Sequence, residues 1–192
     1  VHGSGPSNMD ESMGPNAPFR DLAEGLSRRG VAVLRYDKRT FVCPQFFENA
    51  KEGYTYDDET VDDAISAVRL VKDSLAKEMA IDPSRIYIVG HSMGGMLAPR
   101  IAQRSGEVAG LVLLAAPTGK LLPTIERQLA YLGRSAEEIR KLTEIALADI
   151  PDSYLDLDAR YSDTATAQEL NIPMLILQGE RDYQVTMDDY RT

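Results

Sequence analysis

Short apolar runs alternate with amphipathic stretches along the chain, which predicts strands alternating with helices. Pro18 to Arg29 sets Phe19, Leu22, Ala23 and Leu26 on one helical face and meets Gly30 as a stop. Val31-Ala-Val-Leu-Arg-Tyr36 follows as a predicted strand, and Asp37 to Tyr56 shows no period and reads as a long loop. Thr60 to Met79 predicts a long helix, with Val61, Ala64, Ile65, Val68, Val71 and Leu75 as its apolar stripe. The acidic run Asp57-Asp58-Glu59 just before it suits a helix N-terminus, where negative charge is stabilised. Arg85 to Val89 is β-branched and almost continuously apolar, as central parallel strands are. A helix is expected from Ser92 to about Ser105, ending at Gly106, with a kink or an irregular first half caused by Pro99. Val108 to Ala115 and Pro173 to Leu177 are the remaining strands.

Residues 117 to 170 break the alternation with an insertion of helices. One pattern uses Leu122, Ile125, Leu129 and Leu132. A second opens with a capping box, Ser135 with Glu138 three residues on, and continues through Ile139, Leu142 and Ile145. The order as a whole implies an α/β fold with a mostly parallel sheet flanked by helices. In such sheets ligands bind beyond the carboxyl ends of the strands, where the motifs below fall.

Length and charge narrow the function. The 192 residues suit one domain with one core. A formal charge of −9 opposes binding to nucleic-acid backbones and argues against docking on anionic membranes. Cys43 is the single cysteine, so an internal disulfide is excluded. Apolar runs fall short of the roughly 18 residues that span a bilayer. Residue 1 is Val and leads directly into His-Gly-Ser-Gly-Pro, so the compartment is not legible and the chain reads as truncated.

The candidate chemistry centres on Gly90-His91-Ser92-Met93-Gly94, between a predicted strand and a predicted helix. A G-x-S-x-G segment there turns the chain with almost no loop, and its glycines make room for neighbouring backbone, so the serine hydroxyl projects alone. Ser92 is the candidate nucleophile. An acyl-transfer intermediate needs two N–H donors for its oxyanion, each worth about 3–4 kcal/mol. Met93, following the nucleophile, supplies one. The loop Val1-His2-Gly3-Ser4-Gly5-Pro6 supplies the other, assigned to Ser4 with Gly3 as the adjacent alternative. A carboxylate to orient a general base is expected after the last strand, and Gln178-Gly-Glu-Arg-Asp182 offers Asp182 or Glu180. The base should follow that acid in sequence. The two histidines, His2 and His91, both precede it, so the histidine is expected beyond Thr192. Arg35, Asp37, Lys38 and Arg39 read as a salt-bridge network bracing the loop above the sheet. Phosphate-loop, dinucleotide and metal-ligand patterns are absent from the sequence, so cofactor and metal are both expected to be none.

His2-Gly-Ser-Gly-Pro, Arg35-Tyr-Asp-Lys-Arg39, Asp82-Pro-Ser-Arg-Ile-Tyr-Ile-Val-Gly-His-Ser-Met-Gly-Gly95 and Leu177-Gln-Gly-Glu-Arg-Asp182 together resemble a known group. They look like the bacterial α/β-hydrolase esterases of the dienelactone hydrolase and serine-aminopeptidase-like group. The resemblance implies an α/β-hydrolase fold over 1–192, incomplete at both ends, with Ser92 as nucleophile, Asp182 rather than Glu180 as acid, and residues 117–170 as a helical lid. The expected partner is a small ester, its acyl group roofed by Leu122, Ile125, Leu129 and Tyr131. Two other readings stay open: a peptidase or amidase with the same triad, and a catalytically inactive hydrolase fold used for binding. Oligomeric state is not legible.

Overall fold

The computed structural model describes residues 1–48 and 53–192. Helix α1 (Pro18–Ser27) buries Phe19 and Ala23 and carries proline at its first position, where the missing N–H costs nothing. The chain turns at Gly30, whose φ of +77° a side chain would resist. The predicted strand Val31–Tyr36 is not one: among the described residues nothing pairs with it, and Val31, Val33 and Leu34 are exposed. A β-prone run becomes a strand only when a neighbour completes its ladder. The predicted loop at 37–56 instead holds two short helices, α2 (Arg39–Val42) and α3 (Pro44–Glu48). Its part at 49–52 lies outside the described residues.

The expected long helix forms as four contiguous segments, Asp57–Val61, Asp62–Leu70, Val71–Leu75 and Ala76–Glu78, together α4. The first and third have the wider π pitch. The wide first turn directs three consecutive residues, Glu59, Thr60 and Val61, inward. Ala64, Ile65 and Val68 continue the buried stripe, as their spacing requires.

Strands β1 (Tyr87–His91), β2 (Gly110–Leu114) and β3 (Met174–Leu177) form a parallel sheet in that order. Tyr87 pairs with Gly110 and His91 with Leu114; Leu111 pairs with Met174 and Leu114 with Leu177. Val1 lies along the free side of β1, its N–H donating to Val89 O and its carbonyl accepting from His91 N. Helix α5 (Met93–Ser105) runs through Pro99 without a break, contrary to the expected irregularity. The carbonyl that loses its partner belongs to Gly95, in the first turn, where few bonds depend on it. Leu97 and Ile101 of α5, Val61 of α4 and Leu111 of β2 are fully buried and form the centre of the core. Each such side chain stabilises the fold by about 1.5–3 kcal/mol.

The insertion holds four helices rather than the two that periodicity signalled: α6 (Leu121–Tyr131), α7 (Ala136–Leu147), α8 (Asp152–Arg160) and α9 (Asp163–Glu169). The predicted capping box is present, with Glu138 N donating to Ser135 Oγ and Ser135 N to Glu138 Oε2. After β3 a loop leads into α10 (Met187–Arg191), which periodicity did not signal. Leu175, Ile176 and Leu177 of β3 are exposed. Among the described residues, no helix is long and apolar enough to cross a membrane.

Candidate active site

Ser92 joins β1 to α5 with no loop between them and adopts φ +51°, ψ −122°. An L-residue there carries strain of about 1–3 kcal/mol, held by its surroundings. The restraints are visible: Ser92 N donates to Leu114 O at 2.8 Å, and its carbonyl accepts from Gly95 N and Met96 N at 2.8 and 3.0 Å. The flanking glycines are sterically required. A Cβ on Gly90 would lie 2.3 Å from Gly94 O, and one on Gly94 would lie 2.4 Å from Val1 O and 2.5 Å from His2 O. The same packing seats the Gly3–Gly5 loop against the bend, so that a Cβ on Gly3 would be 3.2 Å from Ser92 Cβ.

Met93 is the first residue of α5, so its N–H has no acceptor in the helix. Gly3 N–H, the alternative donor named from sequence, is already committed to Glu11 Oε1 at 2.7 Å. Among the described residues Ser4 N–H donates to no protein acceptor, and the same holds for Gly5 N–H. Glu11 is a residue of the candidate site that sequence reasoning missed. It is buried, adopts φ +52°, and sets its other oxygen 3.0 Å from His91 Nδ1. Burial pushes its carboxyl upward, but the close His91 imidazole and the hydrogen bond from Gly3 N–H prevail and hold it below the ordinary glutamate value. Nothing in the spacing of Gly3 and Glu11 signals this pairing.

Neither histidine is placed as a base for Ser92. His91 faces Glu11. His2 is buried against the Phe19 and Tyr36 rings, at 5.3 and 5.4 Å between centroids. Its pKa is pushed down to about 4, chiefly by that burial, so it is neutral at pH 7. Its Nε2 lacks a hydrogen-bond partner among the described residues.

Beyond β3, Asp182 is half-buried and Glu180 exposed. Asp182 Oδ1 accepts from Gln184 N and Val185 N at 2.9 and 3.1 Å, which fixes the carboxylate on its loop. Further along, the buried Asp189 accepts from Arg127, Thr118 N and Thr186. Helix α6 thereby grips the segment after β3, and its Tyr131 stacks on Tyr183 at 4.9 Å. Of the four residues expected to roof an acyl pocket, Ile125 and Leu129 are half-buried, while Leu122 and Tyr131 are exposed, Tyr131 to 69%. A cavity of about 190 Å³ behind α5 is lined by Met96, Pro99, Leu113, Met174 and Ile176, and Ser92 does not line it.

The basic cluster after Val31–Leu34 braces the loop as expected. Arg35 pairs with Asp10, Arg39 with Asp63 and Lys38 with Glu59, and Asp37 accepts from Met9 N.

Comparison with known proteins identifies the family and the fold. The chain is 41% identical over 204 residues to esterase EstD of Thermotoga maritima, covering 98% of the chain and 47% of that protein. It thus spans about half the length of the curated relative it matches. Two crystal forms of the Pyrococcus furiosus esterase Pf2001 share its fold, with TM-scores of 0.66 and 0.65 at 19% and 22% identity. Both comparisons cover all of this chain, and 63% and 62% of theirs. The model of the alpha/beta hydrolase family matches residues 1–190, and the chain belongs to that family.

Proposed function

We propose that Ser92 is the nucleophile of a serine hydrolase that cleaves carboxylic esters through an acyl-enzyme. The observation that carries this reading is the strained backbone of Ser92, held at φ +51° between β1 and α5 by glycines that admit no side chain. That the curated relative is named an esterase favours an ester over an amide.

In this scheme Ser92 Oγ attacks the ester carbonyl carbon as a general base takes its proton. The developing oxyanion accepts from Met93 N–H and Ser4 N–H. Collapse breaks the acyl–oxygen bond, and the departing alkoxide takes the proton from the base. Water then attacks the acyl-enzyme by the same route and restores the serine. The base is a histidine outside residues 1–192, because His91 is turned to Glu11 and His2 is buried among aromatic rings. Asp182 orients it. The insertion over 117–170 acts as a lid, with Leu122, Ile125, Leu129 and Tyr131 toward the acyl group. The scheme uses no cofactor.

The test is covalent labelling of the full-length protein with a fluorophosphonate probe. Labelling is expected on Ser92 and is expected to vanish in Ser92→Ala. Labelling that persists in that variant refutes the assignment.

A further inference from the structure

Lys38 is 2% exposed, and its ammonium has three acceptors: Gly3 O at 3.0 Å, Gly5 O at 3.2 Å and Glu59 Oε1 at 2.5 Å. An ammonium has three N–H bonds, so every one is used. A buried ion pair adds little net stability over a well-packed apolar pair of the same volume. Its placement is therefore the informative part. Gly3 C=O and Ser4 N–H belong to one peptide unit, and among the described residues no peptide bond is cis. In a trans peptide the carbonyl and the N–H point in opposite directions within one plane. Fixing Gly3 O therefore fixes where Ser4 N–H points. A cation on the carbonyl also draws electron density from the amide, which strengthens the N–H as a donor.

The other end of the network leads to the insertion. Glu59 Oε2 accepts from the Tyr154 hydroxyl at 2.8 Å, and Tyr154 belongs to α8. The same hydroxyl lies 3.6 Å from Met93 Sδ, beside the second oxyanion amide. Tyr154 packs on Tyr56 at 4.2 Å, and Tyr56 donates to Asp158 of α8 at 2.7 Å. The approach of α8 is thus connected, through one phenol, one carboxylate and one ammonium, to the peptide plane of Ser4.

We propose that Lys38 is a positioning residue for the oxyanion hole, setting the aim and polarity of Ser4 N–H, and that Glu59 and Tyr154 tie that amide to the helical insertion. The proposal rests on the Ser92 reading. It predicts a defect confined to states in which the oxyanion exists. Lys38→Met combined with Glu59→Gln removes both charges together and leaves neither ion unpaired. In the full-length protein this variant is expected to lower kcat on a short p-nitrophenyl ester by roughly 10- to 100-fold, with KM within twofold. Inhibition by a trifluoromethyl ketone, whose serine adduct carries an oxyanion, should weaken by the same factor. Tyr154→Phe keeps the charges and removes one hydroxyl, so it covers the case in which the double variant does not fold. Its kcat should fall roughly 3- to 10-fold, again with KM unchanged. A folded variant with wild-type kcat and ketone affinity overturns the proposal, as does a rise in KM alone. Loss of fluorophosphonate labelling in Ser92→Ala beside unchanged kinetics in the Lys38 and Tyr154 variants refutes only the positioning role. Labelling that survives Ser92→Ala refutes both.

Discussion

Gly94→Ala is a sharp test of how the nucleophile and the Gly3–Gly5 loop depend on each other. The added methyl would lie 2.4 Å from Val1 O, 2.5 Å from His2 O and 2.7 Å from Val1 C, where ordinary contact begins at 3.4 Å. All three atoms are backbone, and Val1 is tied to β1 by two hydrogen bonds, so no side chain can swing aside. Relief requires a displacement of about 1 Å of the segment that leads into Ser4, or of α5 itself, and such a misplacement costs about 100-fold in rate. That factor corresponds to about 2.7 kcal/mol of lost transition-state stabilisation. Overpacking should also destabilise the fold by about 1–3 kcal/mol. The assay pairs kcat/KM on an activated ester with urea unfolding of the same preparation. Gly25→Ala in α1 is the control, because its Cβ would meet nothing within 4 Å. It should leave turnover unchanged and raise stability by about 0.5–1 kcal/mol. A folded Gly94→Ala protein that turns over within threefold of wild type would show that the two walls are not sterically coupled.

Two further outcomes follow from the buried groups around the bend. His2 titrates near pH 6.5 when unfolded and near 4 when folded, so the unfolded chain binds its proton first and stability declines as pH falls from about 6.5 to 4. His2→Phe should flatten urea midpoints across that window, and a slope equal to wild type would exclude His2 as its source. Glu11→Ala strands the Gly3 N–H without an acceptor and should cost about 1–3 kcal/mol in unfolding free energy. A loss below about 0.5 kcal/mol by urea titration would mean that water satisfies that amide.

What the sequence disclosed was local. Gly90, Ser92 and Gly94 are legible because the bend tolerates few residues at those positions, and Ser135 with Glu138 is legible because a capping box is a short-range hydrogen-bond pattern. The run Val31–Tyr36 misled because β-branched content reports side-chain preference and says nothing about the neighbour that a ladder needs. Helices α8 and α9 escaped notice because they are short and their burial is confined to Tyr154 and Asp158 in α8. The acidic run at 57–59 did mark a helix start, yet Glu59 is buried opposite Lys38, 21 positions away. Pairings such as Gly3 with Glu11, or Glu59 with Tyr154 across 95 positions, carry no period and no motif, and only the fold brings them together.

The insertion is anchored at several places, two of which bear on the candidate site. Helix α8 reaches Lys38 through Glu59, while α6 holds the segment after β3 through Arg127, Gln128 and Tyr131. It is therefore not a detachable module. A chimera that exchanged residues 117–170 with those of a relative would also exchange the partners of Glu59, Asp189 and Tyr183, so grafting the insertion means transplanting those contacts as well.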